Sequence, residues 1–206
     1  MNFQEKDGWD SLSSINGKVS GTTWLKTLIP SIMNRDEENE GNDDDSRDPL
    51  VKNHPNMLIP SLELKIFREN PNPDLSGVVP FGPFHDHVLG YWKESLKRPE
   101  KILFLKYEDM KRDPRGQVKN SASFLGRPFV NEEGLEKVLW RCSLERLKNL
   151  EVNKSGIDPW EWLAYKSYFR LGLVGDWKNN LSTEMKQRLD EIQARSWKDL
   201  VWIFES

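Results

Sequence analysis

The chain has 206 residues, with 30 Lys and Arg against 33 Asp and Glu and a formal net charge of -3. This near balance lacks the basic surplus of a protein that follows a nucleic-acid backbone, so we expect no nucleic-acid partner. The single cysteine, Cys142, excludes an internal disulfide and a cysteine zinc cluster. We expect one domain over residues 1–206, without a membrane span or a signal segment, in the reducing cytoplasm.

The sequence of residues 1–48 predicts one helix between two irregular segments. Residues 1–17 are polar and serine-rich, which predicts an irregular start. From Thr22 to Met33 the apolar residues share one helical face, so we predict a helix that is kinked at Pro30. Residues 36–48 are mostly acidic and predict a solvated loop, with an acidic binding segment as the alternative.

The rest of the chain begins with a proline-rich connector over residues 52–83, which leaves room for one short element around residues 62–67. Apolar spacing and capping residues then predict, in chain order, a helix from Pro83 to Leu96, a strand from Lys101 to Lys106, a helix from Asp113-Pro114 to about Gly126, a helix opening at Asn131 whose apolar repeat reaches Cys142, and a last helix from Ser182 or Thr183.

The strand Lys101 to Lys106 decides the predicted fold class. Its continuous apolar run from Ile102 to Leu105 is typical of a parallel strand that is buried on both faces. Because helices flank it on both sides, we predict α/β layering. Cys142 is interpreted as a core residue, with a reactive thiol as the alternative.

Three segments carry candidate chemistry, and the first runs from Lys18 to Trp24. Ser20, Gly21, Thr22 and Thr23 form a small-residue turn that leads into a helix, where free backbone N–H groups and the helix dipole favour an anion. The spacing is not that of a nucleotide P-loop, and an ordinary helix cap is the alternative interpretation.

The second and third segments are Phe104 to Lys111 and Tyr168 to Lys178. Tyr107 lies just past the carboxyl end of the predicted buried strand, which is where open α/β sheets bind ligands. Its ring could stack on a base. Arg170 lies in the third segment and could hold a phosphate through two hydrogen bonds, with a surface salt bridge as the alternative.

Taken in this order, the three segments closely resemble the cytosolic sulfotransferases that use 3′-phosphoadenosine 5′-phosphosulfate (PAPS), the plant flavonoid and brassinosteroid type in particular. The resemblance extends through Asn70 to Ser76, Gly82 to Leu96 and Cys142 to Lys154. It therefore covers most of the chain after residue 18. It implies a P-loop-like α/β fold with a parallel sheet between helices.

The resemblance also implies an activity, which is transfer of a sulfuryl group from PAPS to a hydroxyl of a small acceptor such as a flavonoid, steroid or phenol, with no metal. By position, the implied contacts to the phosphosulfate are Ser20, Gly21, Thr22, Thr23 and Trp24, the contact to adenine is Tyr107, and the contacts to the 3′-phosphate are Arg170 and Gly172.

Several departures from the family pattern fall on the catalytic residues. Val19 stands where the family has a lysine, and Leu171 replaces the lysine of the Arg-Lys-Gly clamp. Between residues 76 and 81 we expect a missing central block, which in the family contains the catalytic histidine and also the Arg and Ser that bind the 3′-phosphate. No catalytic residue is therefore assigned, and the fold is expected to be incomplete. The alternative function is a catalytically inactive, truncated relative that at most binds nucleotide or associates with intact sulfotransferases.

Overall fold

The computed structural model describes residues 22–35, 47–59, 84–159 and 162–196. They belong to two compact units. One comprises the described parts of residues 1–61 and 105–174, and the other comprises those of residues 62–104 and 175–206. The irregular segment 1–17 and the short element around residues 62–67 lie outside the described residues. The expectation of one domain over the whole chain stays a prediction.

The first unit is helical. Its α-helices are α1 Thr22–Met33, α2 Pro49–Lys52, α3 Pro55–Leu58, α5 Tyr107–Arg112, α6 Pro114–Phe124, α7 Glu132–Arg141, α8 Leu144–Asn149 and α9 Glu151–Lys154, followed by a 3₁₀ helix over Tyr165–Phe169.

Helix α1 has the predicted bounds and includes Pro30, which is buried. The helical spacing of Leu28 and Ile32 turns both side chains into the core, where each is almost fully buried. The core of this unit is formed by α1, α5, α6 and α7 through the side chains of Leu28, Ile32, Met110, Val118, Ala122, Leu135, Val138 and Cys142. The prediction that Cys142 is a core residue is confirmed.

Local capping signals set the starts of α6 and α7 as predicted. Asp113 accepts a hydrogen bond from the Gly116 N–H at 2.9 Å, and Asn131 accepts one from the Gly134 N–H at 2.8 Å. Each side chain satisfies a backbone donor that the first helical turn leaves without a partner.

Asp48, the last residue of the predicted solvated loop over residues 36–48, is buried instead of solvated. Residues 36–46 lie outside the described part, so the loop itself stays a prediction. The Asp48 carboxylate caps α2 by accepting from the Leu50 N–H at 3.0 Å, and accepts from Arg146 at 2.7 Å. A buried carboxylate is tolerated because a buried guanidinium pairs with it, and the partner is 98 residues away in the sequence.

The second unit contains α4 Phe84–Lys97, a 3₁₀ helix over Asp176–Asn179 and α10 Thr183–Ser196. Helix α10 packs against α4. The predicted helix from Ser182 or Thr183 is confirmed and begins at Thr183. The helix predicted from Pro83 is confirmed over its described part from Phe84, and Pro83 itself lies outside the described residues.

The predicted strand Lys101 to Lys106 is wrong. Residues 102–106 lie outside any helix or strand and are only half-buried. Within the described part of the chain, the β structure is an isolated antiparallel bridge between Ile157 and Ala164. A strand requires a neighbouring strand with which it exchanges backbone hydrogen bonds, and an apolar run alone does not supply that neighbour. The parallel sheet stays a prediction.

Candidate functional site

The first turn of α1 contains three of the residues that were predicted to contact the phosphosulfate. Thr22, Thr23 and Trp24 open the helix, and the turn has no acidic side chain. Backbone N–H groups at such a terminus attract an anion. Ser20 and Gly21, the other two residues of the predicted loop, lie outside the described residues.

Trp24 and Tyr107 contact each other although 83 positions separate them in the sequence. Their ring centroids lie 6.3 Å apart at an interplanar angle of 77°, which is an edge-to-face arrangement. Burial, assisted by the carboxylate of Glu108, raises the pKa of Tyr107. Its hydroxyl therefore stays protonated near neutral pH and is able to donate a hydrogen bond.

Gly172 brings the third predicted segment to the same place. Its φ of +60° is disfavoured for any residue with a side chain. A Cβ built on Gly172 would lie 2.8 Å from Leu144 Cδ2 and 3.8 Å from Tyr107 Oη. The structure thus brings Trp24, Tyr107 and Gly172 together from three distant parts of the chain.

Leu144 lies next to Gly172, and the sequence analysis did not single it out. It is the first residue of α8, and the Ser143 hydroxyl caps that helix by accepting from the Arg146 N–H. The available signal was the segment from Cys142 to Lys154, which carries part of the resemblance.

Arg170 lies directly after the 3₁₀ helix Tyr165–Phe169 and is exposed. It is two residues before Gly172, so the predicted contacts to the 3′-phosphate lie on one turn, in which Arg170 is exposed and Gly172 is half-buried. Leu171, between them, is 50% exposed and adds no charge at the position where the family pattern has a lysine.

A buried polar cluster that the sequence analysis missed includes Lys26 of α1. Asn56 accepts a hydrogen bond from Lys26 Nζ at 3.1 Å and donates one to Asp158 Oδ2 at 2.7 Å. His54 caps α3 by accepting from the Asn56 N–H at 3.3 Å, and its ring stacks on Tyr165 with centroids 4.0 Å apart. No local pattern indicates this cluster, because its members are 30 and 102 residues apart.

His54 does not act as a general base in this structure. Its side chain is fully buried, which keeps it from an acceptor hydroxyl. The other two histidines, His85 and His87, belong to α4, where the structure does not describe their side chains.

The described residues contain neither a cluster of metal ligands nor a helix suited to a membrane. No group of three or more His, Cys, Asp or Glu side chains among them could hold a metal ion. No helix in the described ranges has both the length and the apolar character that crossing a membrane requires.

Comparison with known proteins supplies the family. The sulfotransferase domain matches residues 66–201, a range that includes parts of both units. Cytosolic sulfotransferase 3 of Arabidopsis thaliana is 36% identical over 240 residues, which cover 89% of this chain and 76% of that protein. Flavonol 4′-sulfotransferase of Flaveria chlorifolia is 34% identical over 243 residues, covering 84% of this chain and 74% of that protein.

Among solved structures, the crystal structure of mouse sulfotransferase SULT7A1 complexed with PAP is 26% identical with a TM-score of 0.49, and the match covers 66% of this chain and 53% of the mouse chain. The sequence matches are sufficient to show that the chain belongs to the sulfotransferase family. The predicted resemblance is confirmed, and the function that it implies is transfer of a sulfuryl group. The comparisons do not favour the alternative of an inactive relative.

Proposed function

We propose that this chain transfers a sulfuryl group from PAPS to a hydroxyl of a small acceptor, with flavonols the first class to test. The family uses PAPS as the sulfuryl donor. The observation that carries the proposal is the contact group Trp24, Tyr107 and Gly172, three residues that the resemblance assigned to the nucleotide before their proximity was known. The flavonol sulfotransferase among the relatives supports the acceptor class, and the names of the cytosolic relatives support a cytoplasmic location.

The described residues fit such a nucleotide in charge and shape. The first turn of α1 presents backbone N–H donors without an acidic neighbour, as the phosphosulfate end requires. Tyr107 offers aromatic surface to the adenine and a hydroxyl donor, and Trp24, next to the phosphosulfate contacts, packs edge-to-face against it. The absence of a side chain on Gly172 lets its backbone lie close to Leu144 and Tyr107. Arg170, two residues earlier, supplies a guanidinium that can bind a phosphate.

We further propose that the chain lacks a central block between residues 76 and 81. The match with cytosolic sulfotransferase 3 extends over 240 residues, more than the 206 of the whole chain, so the relative has positions inside the matched region that this chain lacks. This block would contain the family's catalytic histidine. The proposal therefore assigns nucleotide binding to named residues and leaves the general base unassigned.

Nucleotide binding is tested by calorimetric titration of the whole chain with 3′-phosphoadenosine 5′-phosphate (PAP), the product nucleotide. Trp24→Ala removes a proposed contact to the phosphosulfate and the ring that packs against Tyr107, the proposed adenine contact. Because loss of an aromatic contact to a base costs about 1–3 kcal/mol, the variant should weaken binding by about tenfold or more. Trp140→Ala is the matched control, because Trp140 is 56% exposed on α7 and is not part of the contact group. Equal affinities for the wild type and Trp24→Ala would contradict the assignment.

Transfer is tested separately, by mass spectrometry of flavonols, simple phenols and steroids incubated with PAPS and the folded chain. A sulfated product that requires both PAPS and the protein is the expected result. A chain that binds PAP and sulfates none of these acceptors would refute the activity and favour the non-catalytic alternative. Val19→Lys then tests whether the missing loop lysine limits the rate.

A further inference from the structure

Asn56 joins two buried charged side chains that come from distant parts of the chain. The exposed fractions of Lys26, Asn56 and Asp158 are 7%, 5% and 0%. The charges determine how the amide is oriented, because the Lys26 ammonium requires an acceptor and the Asp158 carboxylate requires a donor. The amide meets both requirements at once, with its oxygen toward Lys26 and its nitrogen toward Asp158. We call these three residues the Asn56 bridge.

The Asn56 bridge connects the two parts of the chain that contain the proposed contacts to the nucleotide. Lys26 lies on α1, one turn after the Thr22 and Thr23 contacts to the phosphosulfate. Asp158 lies in the turn whose backbone is closed by the Asp158 N–H donating to the Leu163 carbonyl at 2.8 Å. That turn leads into the 3₁₀ helix Tyr165–Phe169 and then directly to Arg170.

His54 connects α3 to the 3₁₀ helix Tyr165–Phe169 by a second contact. Its ring lies nearly parallel to that of Tyr165, with an interplanar angle of 8°, and 5.7 Å from the ring of Phe169. His54 and Asn56 both lie at the start of α3. The start of α3 therefore contacts the segment before Arg170 through His54 and is hydrogen-bonded to α1 through Asn56.

We propose that Asn56 is a positioning residue for nucleotide binding, which sets the separation between the first turn of α1 and the Arg170–Gly172 turn through its hydrogen bonds to Lys26 and Asp158. The inference rests on the proposed function, because it takes those two turns as the sites that hold opposite ends of PAP. A ligand held at both ends is sensitive to small changes in their separation. A buried network in which every member is paired is rigid enough to fix it.

A charge swap tests the bridge. Asn56→Asp places a second carboxylate next to that of Asp158. Asp158→Asn removes the carboxylate that offsets the positive charge of Lys26 within the bridge. Each single variant should weaken PAP binding by about tenfold. The double variant Asn56→Asp with Asp158→Asn restores the charge balance, because the carboxylate then accepts from both the Lys26 ammonium and the new amide. It should recover most of the affinity, which a general loss of packing would not allow.

Asp48→Asn is the matched control. It breaks a buried ion pair of the same unit, that of Asp48 with Arg146 at 2.7 Å, and lies outside the bridge. We expect it to lower the free energy of unfolding while PAP affinity stays within about twofold of the wild type. Affinity losses that follow stability equally in the control and the bridge variants, or a double variant no better than the singles, would overturn the proposal.

Hydrogen exchange of the nucleotide-free protein separates failure of the bridge from failure of the proposed function. Asp158→Asn should speed amide exchange in α1 and in residues 162–169, and the double variant should restore protection. If Asn56→Asp does not fold, Asp158→Asn alone decides, since it replaces a carboxylate with an amide of the same shape. Unchanged exchange would overturn the bridge. A wild-type chain that does not bind PAP would overturn the proposed function and the positioning role with it.

Discussion

His54 makes the stability of the first unit depend on acid pH. Its side chain is fully buried, and its Nε2 has no hydrogen-bond partner within the described part of the chain. Burial lowers the pKa of His54 from 6.5 to about 4, a shift that Asp158 partly opposes and Lys26 reinforces. The imidazole is therefore neutral in the folded protein at pH values where the unfolded chain already binds a proton.

The magnitude follows from proton linkage. Above pH 6.5 His54 is neutral in both states and contributes no pH dependence. As the pH falls from 6.5 to about 4, only the unfolded chain takes up the proton, which favours unfolding. At 1.36 kcal/mol for each unit of pKa difference, the free energy of unfolding should fall by about 3 kcal/mol across this range.

Urea unfolding at a series of pH values measures this loss, with His54→Asn as the reference. Asparagine keeps a side-chain acceptor for the Asn56 N–H at the start of α3 and does not titrate. The variant also retains His85, His87 and the carboxylates, so their contributions cancel in the difference between the two profiles. We expect the wild type to lose about 3 kcal/mol more than the variant between pH 6.5 and about 4. Parallel profiles would refute the reasoning.

Three further predictions concern the same unit. Gly172→Ala should weaken PAP binding in calorimetry more than Gly126→Ala does, because both have positive φ and only Gly172 has a side chain within 3.0 Å of the added methyl; equal effects would contradict this. Cys142 should resist alkylation at neutral pH until urea unfolds the chain, since burial raises its thiol pKa to about 11; fast labelling of the folded protein would contradict its burial. Leu135→Ala should lower the free energy of unfolding by about 2–5 kcal/mol in denaturant titrations, and a loss below 1 kcal/mol would be inconsistent with its complete burial.

Helices were predictable from the sequence because their determinants are local. Asp113 and Asn131 lie next to the turns that they cap, and the apolar spacing of α1 extends over three turns. The strand at residues 101–106 failed for the opposite reason. Its apolar run is equally compatible with a half-buried irregular segment, and pairing depends on a partner that the run does not specify.

The sequence indicated which residues to assign to the candidate site, but not the buried contacts that hold them in place. The order of the three segments identified Trp24, Tyr107 and Gly172 by resemblance, and the structure adds that they lie together. Local rules place Lys26 and Asp158 at the surface, because charged residues are rarely buried without a partner. Their partner, Asn56, is too far away in the sequence for any local pattern to reveal it.

Under the proposed function, nucleotide binding and sulfuryl transfer depend in part on different residues of this chain, and the two should be separable by experiment. The contact group of Trp24, Tyr107 and Gly172 lies in one unit, whose core comes from α1, α5, α6 and α7. None of these helices includes residues 76–81, where we propose that a block is missing. The proposed loss would remove the general base together with the Arg and Ser that bind the 3′-phosphate in the family, whereas Trp24, Tyr107 and Gly172 would keep the core of their own unit. A Val19→Lys variant that changes the rate of transfer at unchanged PAP affinity would bear out this separation, whereas a parallel change in both would show that binding and chemistry share one set of residues.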